Sequence, residues 1–251
     1  MAVREICRLK FDASGFIGWS PRLRQRYGYF TPDEWYEAAM FLLVESGTEW
    51  LDVGCGSSPF PFNQALAKLL SSRARTLVGL DPSENIEKNP YLHERVRCPI
   101  EEYERKGKFD VISLQMVAEH ITDPKSVVAA LARLTRSGGF VVVYTVSKWS
   151  PASVLAAITP IVVRHAVKRL VWNVAPEDTF PTAYRMNTRG RLGKLFAAEK
   201  LIEEGFFYLN DCRTLWRWRF ATIRELSAEK AFRSIGLHYP DVCLLGIYRR
   251  A

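Results

Sequence analysis

The sequence has no apolar run of the length that a membrane-spanning helix requires. Such a helix needs roughly 18 or more consecutive apolar residues, whereas the longest run here, residues 154–163, contains Pro160 and is followed by Arg164 and His165. The N-terminus also lacks the basic start, apolar stretch and small-residue cleavage site of a signal peptide. These absences predict a cytoplasmic protein.

Cysteine is scarce and unpatterned. The 251 residues include five cysteines and no Cys-x-x-Cys pair, so neither a disulfide framework nor a zinc site is expected, and a reducing compartment suits the chain. No cluster of His, Cys, Asp or Glu has the spacing of a metal site. The sequence therefore predicts that no metal is bound.

Acidic residues are outnumbered, and the formal net charge is +8 at pH 7. Residues 1–30 carry a net charge of +4, residues 31–147 of −4, residues 148–219 of +6, and the remainder of +2. Solvated arginine and lysine on helix faces would explain this excess, and so would attraction to an anionic substrate or membrane surface. Both interpretations fit the sequence.

Strand and helix patterns alternate from about residue 30 onward. The predicted strands are 49–53, 76–80, a short one at Val96, 109–114, 140–144, 206–209 and 242–248. The predicted helices are 32–44, 62–70, 124–136 (closed by Gly138-Gly139), 188–204 (closed by Gly205) and 215–232. Such alternation is typical of a parallel sheet with right-handed crossovers. We predict an α/β fold: a doubly wound, mostly parallel seven-stranded sheet, with helices on both faces and an insertion after the fifth strand.

A glycine turn, LDVGCGSSP (residues 51–59), stands between the first predicted strand and the next helix. Glycines there let backbone approach a ligand, and the helix N-terminus offers free N–H groups. Asp81 ends the next strand, where a carboxylate can accept hydrogen bonds from both hydroxyls of a ribose. Ser58 stands in place of the third glycine of a dinucleotide fingerprint. A nucleoside without a pyrophosphate does not require that glycine.

Four segments together resemble the class I S-adenosylmethionine-dependent methyltransferases, of the bacterial small-molecule type. They are LDVGCGSSP, VGLDPS (78–83), FDVISLQMVAEHI (109–121) and LTRSGGFVVVYT (134–145), in the order and spacing of that family. The resemblance is close over residues 48–147 and looser over the remaining strands. It implies one methyltransferase domain (1–251) with a Rossmann-like fold. The parts of that domain are a helical cap (1–47), the cofactor-binding core (48–147), a substrate-side insertion (148–190), and the last strands and helices (191–251).

The resemblance also implies S-adenosylmethionine as the cofactor and assigns residues to its parts. The assignments are Asp52, Gly54, Cys55 and Gly56 to the methionine part, Asp81 to the ribose, Pro82, Ile100 and Glu101 to the adenine, and Gln115 to the methyl-bearing sulfonium. Asp52 would help to hold the ammonium group. A helix cap is the alternative role for Asp81, and a solvated surface acid is the alternative for Glu101. Pro99 stands where the family usually has an acid.

Ligands of an open parallel sheet bind beyond the carboxyl ends of its strands, so the acceptor is expected across Gln115, under a cover. The N-terminal arm and the insertion after the fifth strand are the candidate covers. The substrate-binding candidates are Tyr29, Tyr184 and Arg185. No catalytic residue is assigned, and His120, His165 and Tyr184 are the candidates. Packing, capping or a surface position is the alternative for each.

The function implied is methyl transfer to oxygen or nitrogen of a small-molecule, glycan or lipid-linked acceptor. The insertion is apolar first and then basic, which fits an acceptor approached at a membrane surface. The basic balance raises an RNA-directed methyltransferase as a rival. Neither the Asn/Asp-Pro-Pro-aromatic tetrad of base-amino transfer nor the Pro-Cys of pyrimidine-carbon transfer occurs. A non-catalytic cofactor-binding protein of the same fold is the other alternative, and the oligomeric state is not predicted.

Overall fold

The computed structural model describes residues 2–12, 19–105, 108–151, 153–154, 182–213, 218–237 and 239–251. The helices within these residues are α1 (Ala2–Asp12), α2 (Trp19–Tyr27), α3 (Pro32–Leu43), α4 (Gln64–Arg73), α5 (Pro124–Leu134), α6 (Arg189–Ala198) and α7 (Arg219–Ser234). The strands are β1 (Glu49–Val53), β2 (Thr76–Leu80), β3 (Glu94–Val96), β4 (Phe109–Gln115), β5 (Thr135–Val146), β6 (Leu201–Asn210) and β7 (Asp241–Arg250). Short 3-10 helices, Glu84–Lys88 and Ile100–Glu102, follow β2 and β3.

The seven strands form one sheet in the order β3-β2-β1-β4-β5-β7-β6. β7 runs antiparallel to both of its neighbours, and the other pairs are parallel. The order reverses between β1 and β4, which is where open α/β sheets bind ligands. The predicted doubly wound, mostly parallel seven-stranded fold is confirmed.

An apolar layer covers each face of this sheet. Successive side chains of a strand point to opposite faces, so Val141 and Val143 of β5 join a cluster with α5 and α6. Val142 and Tyr144 join a second cluster with α1, α3 and α4. All four side chains are fully buried, as expected for a strand that is covered on both faces.

Side-chain oxygens cap the N-termini of α3, α4, α5 and α6. The Thr31 hydroxyl accepts a hydrogen bond from the Glu34 N–H (3.3 Å), and the Glu34 carboxylate accepts one from the Thr31 N–H (2.8 Å). This reciprocal pair is a capping box, and it confirms the predicted start of α3. Asn63, Asp123 and Thr188 cap α4, α5 and α6 with their side-chain oxygens.

β5 begins earlier than the sequence predicts. The prediction extended α5 to Arg136 and closed it with Gly138-Gly139, but α5 ends at Leu134 and β5 starts at the next residue. A Cβ on Gly139 would lie 2.9 Å from the carbonyl oxygen of Asp110 at the start of β4. The glycine is therefore required where two strands approach closely, and the prediction that it ends a helix was wrong.

β6 also begins earlier than predicted. The helix expected over 188–204 ends at Ala198, and β6 starts at Leu201 after Lys200, which has a left-handed φ of +58°. Gly205 lies inside the strand, where the register with β7 shifts, so it marks a bulge and not a helix end. The residues around Leu201 fit a helical and a strand period equally well over so short a run, which is why periodicity misplaced the boundary.

The segment between β6 and β7 begins and ends at the same edge of the sheet. β5 and β6 run in the same direction and β7 runs against them, so Asn210 and Asp241 both lie at the carboxyl edge. In the link between them α7 packs against α2. A small apolar cluster of Tyr29, Cys212 and Leu226 joins these helices. The predicted insertion after β5 lies outside the described residues between Val154 and residue 182.

Candidate active site

In the glycine turn after β1, Gly54 is packed against other protein atoms and Gly56 is not. Gly54 and Gly56 have φ values of +66° and +47°, a region that favours glycine. The Gly54 N–H donates to the Leu80 carbonyl oxygen (2.6 Å), and a Cβ on Gly54 would lie 2.3 Å from Val117 Cγ2. A Cβ on Gly56 would meet no atom within 4 Å. The turn is therefore packed beneath Gly54 and leaves space beside Gly56.

Asp81 contacts this turn directly from the end of β2. Its Oδ2 accepts a hydrogen bond from the Gly56 N–H (2.9 Å), and its Oδ1 accepts one from the Ser83 N–H (2.8 Å). The side chain is half-buried. A carboxylate offers about four acceptor positions, so both oxygens keep a lone pair for further donors.

Asn89 is a buried support of the turn that sequence reasoning missed. Its Nδ2 donates to the carbonyl oxygens of Cys55 (3.4 Å) and Gly56 (3.2 Å), and its Oδ1 accepts from the Tyr91 N–H (3.1 Å). The side chain is fully buried. The Asn-Pro pair at residues 89–90 signals only a turn in the sequence, so its contact with a distant segment gave no recognisable signal.

Asp52 lies in β1 and is buried. The Ser113 hydroxyl donates to its Oδ1 (2.7 Å) and accepts from the Trp50 indole N–H (2.7 Å). Burial raises the pKa of Asp52 to about 7; the Asp81 charge adds to the rise and the Ser113 hydrogen bond opposes it. A cation held near Asp52 would favour its ionised form.

The remaining cofactor candidates lie at the same edge of the sheet. Pro82 follows Asp81 and is exposed. Ile100 is buried and Glu101 is exposed in the 3-10 helix after β3. Gln115 is the last residue of β4 and is half-buried. Because β2, β3 and β4 are parallel, the structure brings the ends of all three strands to the carboxyl edge.

Hydrogen bonds of Glu119 connect the segment 182–188 to the loop after β4. Its carbonyl oxygen accepts hydrogen bonds from the Ala183 N–H (2.7 Å) and the Tyr184 N–H (3.1 Å). Its Oε2 accepts from the Thr145 hydroxyl (2.6 Å), which in turn accepts from Asn187 Nδ2 (2.8 Å). Burial raises the pKa of Glu119. We call these contacts the Glu119 clamp; sequence reasoning did not foresee it.

The candidates for acceptor binding and catalysis, other than His165 and Tyr29, lie near the loop after β4. Tyr184 is half-buried with a left-handed φ of +48°, and the exposed Arg185 donates from Nη1 to the Thr122 carbonyl oxygen (2.7 Å). His120, also half-buried, follows Glu119 in the same loop. The clamp thus brings Tyr184 and Arg185 to the loop that contains His120. His165 lies outside the described residues.

Tyr29 has contacts that favour a structural role over the predicted acceptor contact. It is buried, its hydroxyl donates to the Asn210 carbonyl oxygen (2.9 Å), and it accepts from the Cys212 N–H (2.9 Å). Both bonds hold the end of α2 to the end of β6. Its hydroxyl is therefore committed to the backbone.

The described residues contain neither a candidate membrane span nor a candidate metal site. Across the described part of the chain, no helix combines the length and apolar character needed to cross a membrane. Those same residues bring no three His, Cys, Asp or Glu side chains into a group that could hold a metal ion. The absence of a metal requirement stays a prediction.

The fold and the site define a class. An open parallel sheet with a glycine turn after β1 and a carboxylate after β2 is the framework of the class I methyltransferases that the sequence resembles. The model of the methyltransferase-domain family matches residues 26–201, more than two thirds of the chain. The chain belongs to this family of S-adenosylmethionine-dependent methyltransferases.

Known relatives and structures agree with this membership. The chain is 33% identical over 123 residues to a ubiquinone biosynthesis O-methyltransferase of Thiobacillus denitrificans, covering 45% of this chain and 50% of the relative. The chain spans about half the length of the curated relatives it matches.

Two solved structures share the fold. The N-methyltransferase NodS of Bradyrhizobium japonicum, solved with S-adenosylhomocysteine, has a TM-score of 0.50 at 14% identity and covers 99% of this chain and 98% of its own. The geranyl diphosphate C-methyltransferase of Streptomyces coelicolor has a TM-score of 0.53 at 12% identity and covers 86% and 78%. At this identity they show a common fold.

S-adenosylmethionine is the cofactor of this family, and the residues here fit it. The open space beside Gly56 leaves room for a ligand at the turn. Asp81 keeps lone pairs that would accept from ribose hydroxyls, and Asp52 has a carboxylate that would attract an ammonium group. These acceptor groups would match a nucleoside that carries both ribose hydroxyls and a cationic tail.

Cofactor affinity is expected to rise with pH through about 7. The pKa of Asp52 is raised from 3.8 to about 7, and only its ionised form attracts an ammonium group. The same shift lowers the stability of the ligand-free protein as pH rises from about 4 to about 7, because the folded state keeps a proton that the unfolded state has released.

Thermal unfolding with and without S-adenosylhomocysteine, across this pH range, measures the effect. The stabilisation by ligand should grow with pH in the wild type and should not do so in Asp52→Asn. A ligand-induced shift that is independent of pH in the wild type would remove Asp52 from the account.

Proposed function

We propose that this chain transfers a methyl group from S-adenosylmethionine to an oxygen atom of a small amphiphilic acceptor. The observation that carries the proposal is the Glu119 clamp, because it sets Tyr184 and Arg185 beside the loop that follows Gln115. The similarity to O-methyltransferases supports oxygen as the acceptor atom. A glycan or lipid-linked acceptor is compatible with the same polar pair.

The proposed cofactor contacts are those that the family resemblance implies. Asp52, Gly54, Cys55 and Gly56 would hold the methionine part, Asp81 the ribose, Pro82, Ile100 and Glu101 the adenine, and Gln115 would lie beside the sulfonium. S-adenosylmethionine supplies a methyl group that its sulfonium already activates. The protein then has to align the acceptor with that carbon and exclude water.

His120 is the proposed general base. A hydroxyl acceptor must lose its proton as the new bond forms, and a histidine imidazole can accept that proton. Glu119 precedes it in the sequence, and a charge on His120 opposes the rise that burial causes in the pKa of Glu119. Arg185 keeps further N–H donors besides the one bonded to Thr122, so it would orient a polar or anionic group of the acceptor.

Formation of S-adenosylhomocysteine with a panel of acceptors tests the proposal. The panel pairs phenols, aliphatic alcohols and amines, each with and without an alkyl tail. We expect turnover with hydroxyl acceptors that carry a tail. His120→Ala should lower kcat by about 10²–10⁴-fold and leave the affinity for S-adenosylhomocysteine unchanged. Turnover with amines or RNA alone, or an unchanged kcat in His120→Ala, would contradict the proposal.

A further inference from the structure

A separate layer stands at the carboxyl edge, where the acceptor is expected. It consists of α2 with residues 28–30, and of α7 with its flanking residues 211–213, 218, 235–237 and 239–240; we call it the α2–α7 layer. The Arg213 guanidinium pairs with Asp211 within the layer (Nη2–Oδ2, 2.7 Å) and with Asp33 of α3, which accepts a hydrogen bond from Tyr144 of β5. The chain thus has an added structural unit beside its acceptor site.

This layer exposes large apolar side chains. Phe220 is 83% exposed, Ile235 69%, Trp218 64% and Leu237 56%. The residues of α7 that face inward are Thr222, Leu226 and Glu229, all buried. At 3.6 residues per turn, Phe220 lies on the opposite stripe of the helix. A depression of about 580 Å³ on this surface is lined by Trp218, Phe220, Ala221, Arg224, Glu225 and Tyr239.

The α2–α7 layer also has an excess of positive charge on its exposed surface. Its described helices carry seven cations: Arg22, Arg24, Arg26, Arg219, Arg224, Lys230 and Arg233. They carry two acids, of which Glu229 is buried and Glu225 is half-buried. Arg24 and Arg233 form hydrogen bonds within the layer. The other five cations are exposed to solvent. The outward surface is therefore apolar and strongly positive.

We propose that the α2–α7 layer docks on an anionic lipid bilayer. Aromatic side chains partition to the headgroup region, and arginine and lysine are attracted to anionic lipids. Docking there would bring the carboxyl edge of the sheet to the membrane, where an amphiphilic acceptor is met. The inference rests on the proposed function in that respect, since it names the phase from which the acceptor comes.

The charge argues against a second copy of the chain as the occupant. A twofold interface would place this patch against itself, so its five exposed cations would face their own equivalents. An RNA would match the charge, but Ile235 and Leu237 offer no ring on which a base can stack. An anionic bilayer matches both the charge and the aliphatic side chains.

Sedimentation with lipid vesicles tests the proposal on the full chain. The vesicles are phosphatidylcholine with phosphatidylglycerol, and phosphatidylcholine alone. The surface variants are the pair Arg26→Gln/Arg224→Gln and the pair Trp218→Ser/Phe220→Ser. The matched controls are Arg75→Gln and Ile202→Ser, which change an exposed cation and an exposed apolar residue near the amino ends of β2 and β6.

The wild type should sediment with the anionic vesicles and not with phosphatidylcholine. Each arginine is worth about fivefold in partitioning, so the arginine pair should weaken it roughly thirtyfold. The aromatic pair should weaken it about tenfold or more. The controls should bind as the wild type does, and added salt should mimic the arginine pair.

Absence of wild-type binding to anionic vesicles would overturn the proposal, and so would full binding by both surface pairs. It would also fail if these pairs lost RNA binding or self-association instead of vesicle binding. Titration of the same samples with S-adenosylhomocysteine separates the two proposals. Vesicle binding without S-adenosylhomocysteine binding would overturn the proposed function alone, and the reverse result would overturn the docking surface alone.

Discussion

Asp81→Ala is expected to weaken S-adenosylmethionine binding by roughly 1.5–3 kcal/mol, because it removes charge-assisted hydrogen bonds to the ribose hydroxyls. The substitution also removes the acceptor of the Gly56 N–H, which donates a hydrogen bond to Asp81 Oδ2 (2.9 Å). Asp81→Asn keeps one carbonyl oxygen for the turn but loses the charge, so its affinity should fall between those of Asp81→Ala and the wild type. Isothermal titration calorimetry measures all three.

The matched control is Asp110→Asn. Asp110 lies at the other end of a strand, near the start of β4, where it accepts from the Glu49 N–H (2.7 Å) and pairs with Arg136. Its loss should lower the free energy of unfolding and leave the cofactor affinity unchanged. Equal affinities for Asp81→Ala and the wild type would remove Asp81 from the ribose site.

Gly56→Ala is expected to weaken cofactor binding by about 1–3 kcal/mol through overpacking, with a modest loss of stability. The new Cβ would enter the open space beside the turn, where no protein atom lies within 4 Å. A left-handed φ of +47° costs an alanine roughly 1–2 kcal/mol in the folded state. Calorimetry with S-adenosylhomocysteine and chemical unfolding separate the two effects.

Gly138→Ala controls for the backbone cost. Gly138 also has a positive φ, +76°, and its nearest neighbour to a new Cβ is Arg249 Nη2 at an ordinary 3.8 Å. It lies near the start of β5, at the other end of the sheet, so its alanine variant should lose stability and keep its affinity. If Gly56→Ala bound the cofactor as Gly138→Ala does, the open space would not be the cofactor site.

Sequence alone predicted the features that depend on short stretches of chain. The glycine turn and Asp81 each follow a strand that its apolar run reveals, and the parallel topology brings them together. The start of α3 also depends on neighbours a few residues away. These local patterns indicated the fold class, and the resemblance to the class I methyltransferases implied the candidate cofactor contacts.

Features that depend on distant partners could not be predicted. The bonds of Asn89 to the glycine turn and the Glu119 clamp join segments far apart in the chain, and their residue types have no special spacing. Gly139 and Gly205 were assigned to helix ends because a glycine after an apolar run fits a helix end as well as a strand. Only the approach of Asp110 and the register shift in β6 distinguish these cases.

The antiparallel direction of β7 determines where α7 lies. Its apolar and aromatic pattern predicted a helix, but a helix between two strands usually crosses from one edge of a parallel sheet to the other. Because β7 is antiparallel, α7 lies instead in a link that begins and ends at the carboxyl edge. The reversal of one strand therefore places an apolar, cationic layer beside the proposed acceptor site.

Calorimetric titration of the wild-type protein with S-adenosylmethionine and, separately, with NAD tests the central claim most directly. The turn after β1 and the carboxylates of Asp52 and Asp81 are assigned to a nucleoside that carries an ammonium group and no pyrophosphate. The account predicts saturable binding of S-adenosylmethionine, competition by S-adenosylhomocysteine, and no binding of NAD. Binding of NAD by a protein that does not bind S-adenosylmethionine would contradict it.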